Sequence, residues 1–142
     1  MTNIINSIVL IFLIFLATNN IMIAGSPVLK CGPEPETQYI NLDCDVTDIA
    51  DPFLIKAKTG DLVKFKAKNA EFSILIRNAD KFFEKVGQTI KIHLNEGEES
   101  DPLIVKGDLP VDSEIKYEVY CITKDMWADA PPRIIIVPHA EY

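Results

Sequence analysis

Cys121 and Met126 are the residues whose types and spacing come nearest to a reactive centre. Cys121 closes the alternating run Tyr117-Glu118-Val119-Tyr120-Cys121, and Met126 follows it closely. A thiolate beside a thioether is a soft donor pair that suits Cu(I). No imidazole stands near them, because Ile122, Thr123, Lys124 and Asp125 fill the gap and Trp127 comes next. The chain has two histidines in all. His93 lies on the polar side of a strand, opposite Ile92 and Leu94, and reads as a surface residue. His139 follows Pro138 in the tail and reads as solvated or disordered. No local motif supports a nucleophilic pair of Cys121 with His93. Glu96, Glu98, Glu99 and Asp101 cluster without the ligand spacing of a calcium loop, and read as a solvated turn. There is no Gly-rich phosphate loop, Gly-x-Ser-x-Gly elbow or zinc-ligand pairing. The expectation is a non-enzymatic protein with no resident cofactor.

The three cysteines fit an oxidising compartment. Cys31 and Cys44 enclose a short loop, so a Cys31–Cys44 disulfide is expected, with Cys121 left over as a buried thiol or a ligand. The leader agrees with export. From Ile4 to Ala17 the sequence is nearly continuous Ile, Leu, Val and Phe, and no charge precedes Lys30. That run is short for a membrane span of about 20 residues and suits the apolar region of a signal peptide. Residues 1–24 are therefore expected to be a signal peptide, with an uncleaved N-terminal anchor as the alternative. All 14 basic and 21 acidic residues lie beyond Val28, so the remaining domain carries the whole net charge of −7. Such a charge argues against nucleic acid or anionic lipid as a partner. A monomer is expected, secreted or periplasmic, touching the membrane only through its leader.

The elements that must position these residues are strands. Gly32–Thr37 is rich in Pro and Glu and reads as an exposed connector, within an N-terminal strand and linker region over 25–52. A sandwich core is expected over 53–137 and a tail over 138–142. Leu62–Lys68 alternates cleanly, with Val63, Phe65 and Ala67 on one face and Lys64, Lys66 and Lys68 on the other. The same period runs through Phe72, Ile74 and Ile76; through Ile90, Ile92 and Leu94; and through Ile115, Tyr117, Val119 and Cys121. Arg133–Val137, Phe53–Ala57 and Leu103–Val105 are further strand candidates, and Ala79–Val86 is the only stretch with helical character. Short strands joined by turns, without helical crossovers, predict an all-β antiparallel sandwich or barrel.

Three motifs in this order resemble the cupredoxins, the plastocyanin and azurin class. Gly60-Asp61-Leu62-Val63-Lys64-Phe65 is similar to the family's Gly-Asp-x-Val-x-Phe turn and strand. Glu71–Ile76 is similar to the strand that opens with the first histidine ligand, and Tyr117–Cys121 to the strand carrying the cysteine ligand. The resemblance covers roughly Phe53 to Val137 and implies a Greek-key β-sandwich. It does not carry over the copper site. Phe72 stands at the first histidine position, and the second histidine is missing after Cys121. A blue-copper centre needs two imidazoles and a thiolate.

Thr123–Arg133 remains as the candidate contact loop, with Met126, Trp127, Pro131 and Arg133 as its anchors. Trp, Met and Arg are enriched at contact surfaces. The competing expectation, favoured here, is that Trp127 folds inward and plugs the end of the sandwich. The sequence thus predicts an exported module binding a protein or small ligand without copper. The alternative is a copper-handling or electron-transfer protein with an atypical Cys121/Met126 site.

Overall fold

The computed structural model describes residues 34–138. The expected leader, Cys31 and His139 lie outside the described residues. Ten strands follow in order: β1 (Thr37–Leu42), β2 (Ala50–Asp51), β3 (Leu54–Ala57), β4 (Leu62–Ala67), β5 (Phe72–Arg77), β6 (Thr89–Leu94), β7 (Leu103–Ile104), β8 (Glu114–Cys121), β9 (Met126–Trp127) and β10 (Arg133–Ile136). A single 3-10 turn, Ala79–Lys81, is the helical content of the described residues. No helix among them is long and apolar enough to cross a membrane.

The strands form two sheets, ordered β2-β1-β4-β7 and β3-β10-β8-β5-β6, with β9 added alongside β8. Alternation explains the layering. Ile40 and Leu42 of β1 and Val63, Phe65 and Ala67 of β4 are buried from one sheet. Phe72, Ile74 and Ile76 of β5, Ile115 to Cys121 at alternate positions of β8, and Ile134 and Ile136 of β10 meet them from the other. Each strand turns its intervening residues outward because side chains alternate across the pleat.

Two features differ from the expectation of a purely antiparallel sandwich beginning near residue 53. First, β1 runs parallel to β4, and β3 runs parallel to β10. The chain leaves the first sheet after β2 and places β3 in the second. It then returns to lay β4 beside β1 in the same direction. Second, the core reaches back to Ile40, Leu42, Ile49 and Ala50, ahead of residue 53.

The Gly60-Asp61 turn has a clear local cause. Gly60 takes φ +86°, in the left-handed region that costs glycine little. Asp61 is buried, and its two carboxylate oxygens accept the backbone N–H groups of Glu36 (3.0 Å) and Lys58 (2.8 Å). That pairing satisfies a buried charge and ties the start of β1 to the turn before β4. In the core, the ring of Phe65 meets that of Tyr117 edge to face, with centroids 5.3 Å apart.

Candidate functional site

The end of the sandwich that holds Cys121 is closed by covalent chemistry. Cys121 faces Phe72 across the β5–β8 pair and Met126 across the β8–β9 pair. Cys44 follows β1 at the same end of the other sheet, and a disulfide joins Cys44 to Cys121 with Cα atoms 6.3 Å apart. This corrects the expected Cys31–Cys44 link and the expected free Cys121 thiol. The sequence argument favoured the shortest loop. In the fold, however, Cys44, two residues past the end of β1, meets Cys121 at the last inward position of β8, which brings together cysteines 77 residues apart.

A polar clamp surrounds the link. Asn69 Oδ1 accepts the Cys44 N–H at 3.2 Å, while Asn69 Nδ2 donates to Asp43 (2.8 Å) and Asp45 (2.6 Å). Lys124 Nζ donates to the Cys44 carbonyl at 3.1 Å and also pairs with Asp45. The hydrogen bond and charge of Lys124, with the Asn69 amide, hold the Asp45 carboxyl below its ordinary range.

A type 1 copper centre does not fit this arrangement. The Cys121 sulfur is bonded to another sulfur, and Phe72 is a buried hydrocarbon. His93 sits exposed on the far side of the sheet with Nε2 3.0 Å from a Glu71 oxygen. Met126 packs partly buried against the core beside the disulfide, so the Cys121/Met126 pair offers a thioether without a thiolate. Among the described residues no group of three or more His, Cys, Asp or Glu side chains is placed to hold a metal.

Trp127 does not plug the sandwich end. Phe72 and the disulfide occupy that interior, and β9 places Trp127 opposite Tyr120 on the outer face of the second sheet. The residue is 57% exposed, and its indole packs against the Tyr120 ring at a tilt of 41° with centroids 4.8 Å apart. Tyr120 in turn donates its hydroxyl to Asp125. This hydrogen bond, with partial burial and the nearby charge of Asp125, raises the Tyr120 pKa above its ordinary value.

Beyond Trp127 the chain arches out and back. Ala128 donates to the Val119 carbonyl at 3.0 Å, and Tyr117 donates to the Pro132 carbonyl at 3.2 Å. Asp129, Ala130 and Pro131 bulge between these two pins, at the handover from β9 to β10 alongside β8. The arch walls a groove of about 660 Å³ on the outer face of the sheet. Leu75 and Arg77 of β5 and Lys116 and Glu118 of β8 line it, with Phe82 and Trp127 among the remaining lining. An Arg77–Glu118 ion pair (3.1 Å) lies in it, and Lys116 lies 3.7 Å from Glu114.

Of the four expected anchors, Trp127 and Pro131 line this groove. Met126 packs against the core. Arg133 begins β10, with its guanidinium 3.5 Å from Glu114 at the groove's margin. Leu75, Arg77, Lys116 and Glu118 were not singled out from the sequence. Their alternation marks them as outward-facing, but only the strand order β5-β8 makes them neighbours.

No protein-family model matches the chain, and no curated protein is significantly similar to it in sequence. Solved structures to which the chain is similar include variants of amicyanin. The copper(I) form of a methionine-to-glutamine variant shares 10% identity at TM-score 0.47, over 70% of this chain and 81% of that one. A reduced proline-to-phenylalanine variant shares 9% at TM-score 0.46, over 75% and 86%. A reduced tryptophan-to-tyrosine variant shares 10% at TM-score 0.47, over 73% and 85%.

Proposed function

We propose that this chain is an exported, non-enzymatic binding module that works as a monomer, without copper, and recognises its partner through the groove beside Trp127. The observation that carries the reading is the exposed Trp127 at a groove of about 660 Å³. A monomer rarely leaves a large aromatic among apolar neighbours without a use for it, and grooves of roughly 300–1,000 Å³ are the ordinary size for ligand sites. The floor is a sheet and the wall is pinned at both ends, so the surface is preorganised and loses little freedom on binding. The apolar leader supports export.

The test is an array of immobilised peptides and glycans probed with wild type and Trp127→Ala. Retention by wild type that disappears in the variant, while the variant still unfolds in one cooperative transition, is the expected result. Retention that survives Trp127→Ala and vanishes on charge reversal of Lys64 and Lys66 would move the site to the other sheet and refute the reading.

A further inference from the structure

The groove is electrically balanced in a molecule that is not. The chain carries a net charge of −7, yet the charged lining is Arg77 and Lys116 against Glu118 and Glu114, with Arg133 at the margin also 3.5 Å from Glu114. Each cation lies beside a carboxylate, at 3.1 Å for Arg77–Glu118 and 3.7 Å for Lys116–Glu114. Leu75, Phe82, Trp127, Ala128, Ala130 and Pro131 supply the apolar surface between them. We infer that the groove takes a neutral saccharide chain; this rests on the reading of the groove as the binding site.

Elimination by chemistry leads there. An anionic ligand meets Glu114, Glu118 and the net negative field of the domain. A cationic ligand must displace Arg77 or Lys116 from the carboxylate it already has. A purely apolar ligand would cover four charged groups and strip their water, a penalty that apolar contact does not recover. An extended peptide cannot add by main-chain pairing to β8, the strand in the floor of the groove. β8 is already flanked by β5 on one side and by β9 and β10 on the other.

A polyhydroxylated ligand avoids each of these costs. A hydroxyl donates once and accepts twice, so it can bond a carboxylate oxygen and a guanidinium or ammonium N–H together. The ion pairs of the groove present both partners side by side. The C–H faces of a sugar ring are apolar and weakly positive, which suits the negative face of an indole. Trp127 is held in place by its tilted ring contact with Tyr120 and by the Tyr120–Asp125 hydrogen bond.

Trp127 is the only tryptophan of the chain, so its emission reports on the groove directly. Purified protein is titrated with neutral hexasaccharides of β-1,4-linked glucose, β-1,4-linked N-acetylglucosamine and α-1,4-linked glucose. Polygalacturonate and a proline-rich decapeptide form the comparison arms, with calorimetry for variants that lack the indole. The expected result is saturable binding of at least one neutral hexasaccharide, with a Kd that changes by less than about twofold between low and high salt because no net charge is paired. Trp127→Ala should abolish it, and Arg77→Gln with Glu118→Gln should weaken it at least about tenfold, as loss of a charged hydrogen-bond pair does, at unchanged thermal midpoint. Binding of none of the neutral hexasaccharides, or of polygalacturonate alone, overturns the saccharide class. Binding of the decapeptide alone, lost in Trp127→Ala, overturns the saccharide class and leaves the groove standing. Saccharide binding that persists in Trp127→Ala overturns the groove as well.

Discussion

Replacing both cysteines of the inter-sheet link, Cys44→Ala with Cys121→Ala, should cost this domain much of its stability. The link encloses 77 residues of sequence separation. In the chain-entropy model, closing a loop of that size removes about 15 cal/mol/K from the unfolded ensemble, or about 4.5 kcal/mol at 25 °C. For a domain of about 100 residues, an unfolding entropy near 2.1 cal/mol/K per residue converts this into a fall of roughly 20 °C in thermal midpoint. Guanidinium unfolding of wild type and double variant measures the difference. The slope m should also rise, because an unlinked unfolded chain exposes more surface, so the comparison uses free energies extrapolated to water. A loss under about 1.5 kcal/mol would refute the argument that this bridge chiefly restrains the unfolded chain. Mass mapping of the unreduced, digested protein tests the premise. It should recover the Cys44 peptide joined to the Cys121 peptide, and a Cys44 peptide joined to Cys31 would refute it.

Trp127→Ala should cost less than about 1.5 kcal/mol, the scale of an exposed aromatic pair, against about 3–5 kcal/mol for truncating a buried ring; denaturant unfolding separates the two. Phe72→Ala, at the buried partner of Cys121, should show that larger loss in the same assay. Tyr117→Phe should be neutral or stabilising by about 1 kcal/mol, because the hydroxyl is buried without a hydrogen-bond partner among the described residues and its removal relieves desolvation. Burial also pushes the Tyr117 pKa up, so in an ultraviolet titration this phenol should ionise at higher pH than a free phenol for as long as the fold persists. Asp45 has a folded pKa below its unfolded one. Its contribution is therefore complete above the unfolded value of about 3.9 and is lost as pH falls through the lower, folded value. Asp45→Asn should accordingly flatten the acid limb of a plot of unfolding midpoint against pH, and an unchanged limb would show that the Lys124 pairing has no consequence for stability.

The strands legible in the sequence are those with one wet face. Val63, Phe65 and Ala67 against Lys64, Lys66 and Lys68, or Tyr117, Val119 and Cys121 against Lys116, Glu118 and Tyr120, reveal both element and orientation, because the pleat forces that alternation. β2 and β9 escaped notice because two residues are too few to show a period. β1 was harder to place in the core, since Pro35 and Glu36 just before it resemble a connector and its register with β4 is set by tertiary pairing. The disulfide was illegible for a related reason. Proximity along the chain pointed to Cys31, whereas the meeting of two sheet ends selected Cys121. Trp127 and Pro131 stood out by residue type, but the inward or outward aim of the indole depended on β9 pairing with β8 at Tyr120.

The strand order has a consequence for how this molecule is made. β3 lies at one margin of its sheet, and its neighbour there is β10, the last strand among the described residues. A ribosome delivers β3 long before β10 emerges, so Leu54–Ala57 must wait unpaired through the synthesis of nearly the whole domain. β1 waits less, since β4 follows soon after it. The first sheet can therefore assemble before β10 is made, whereas the second cannot be finished until β10 has emerged. Closure of such distant pairings is slow compared with local hairpins, and it makes the docking of β10 the step on which completion of the second sheet depends.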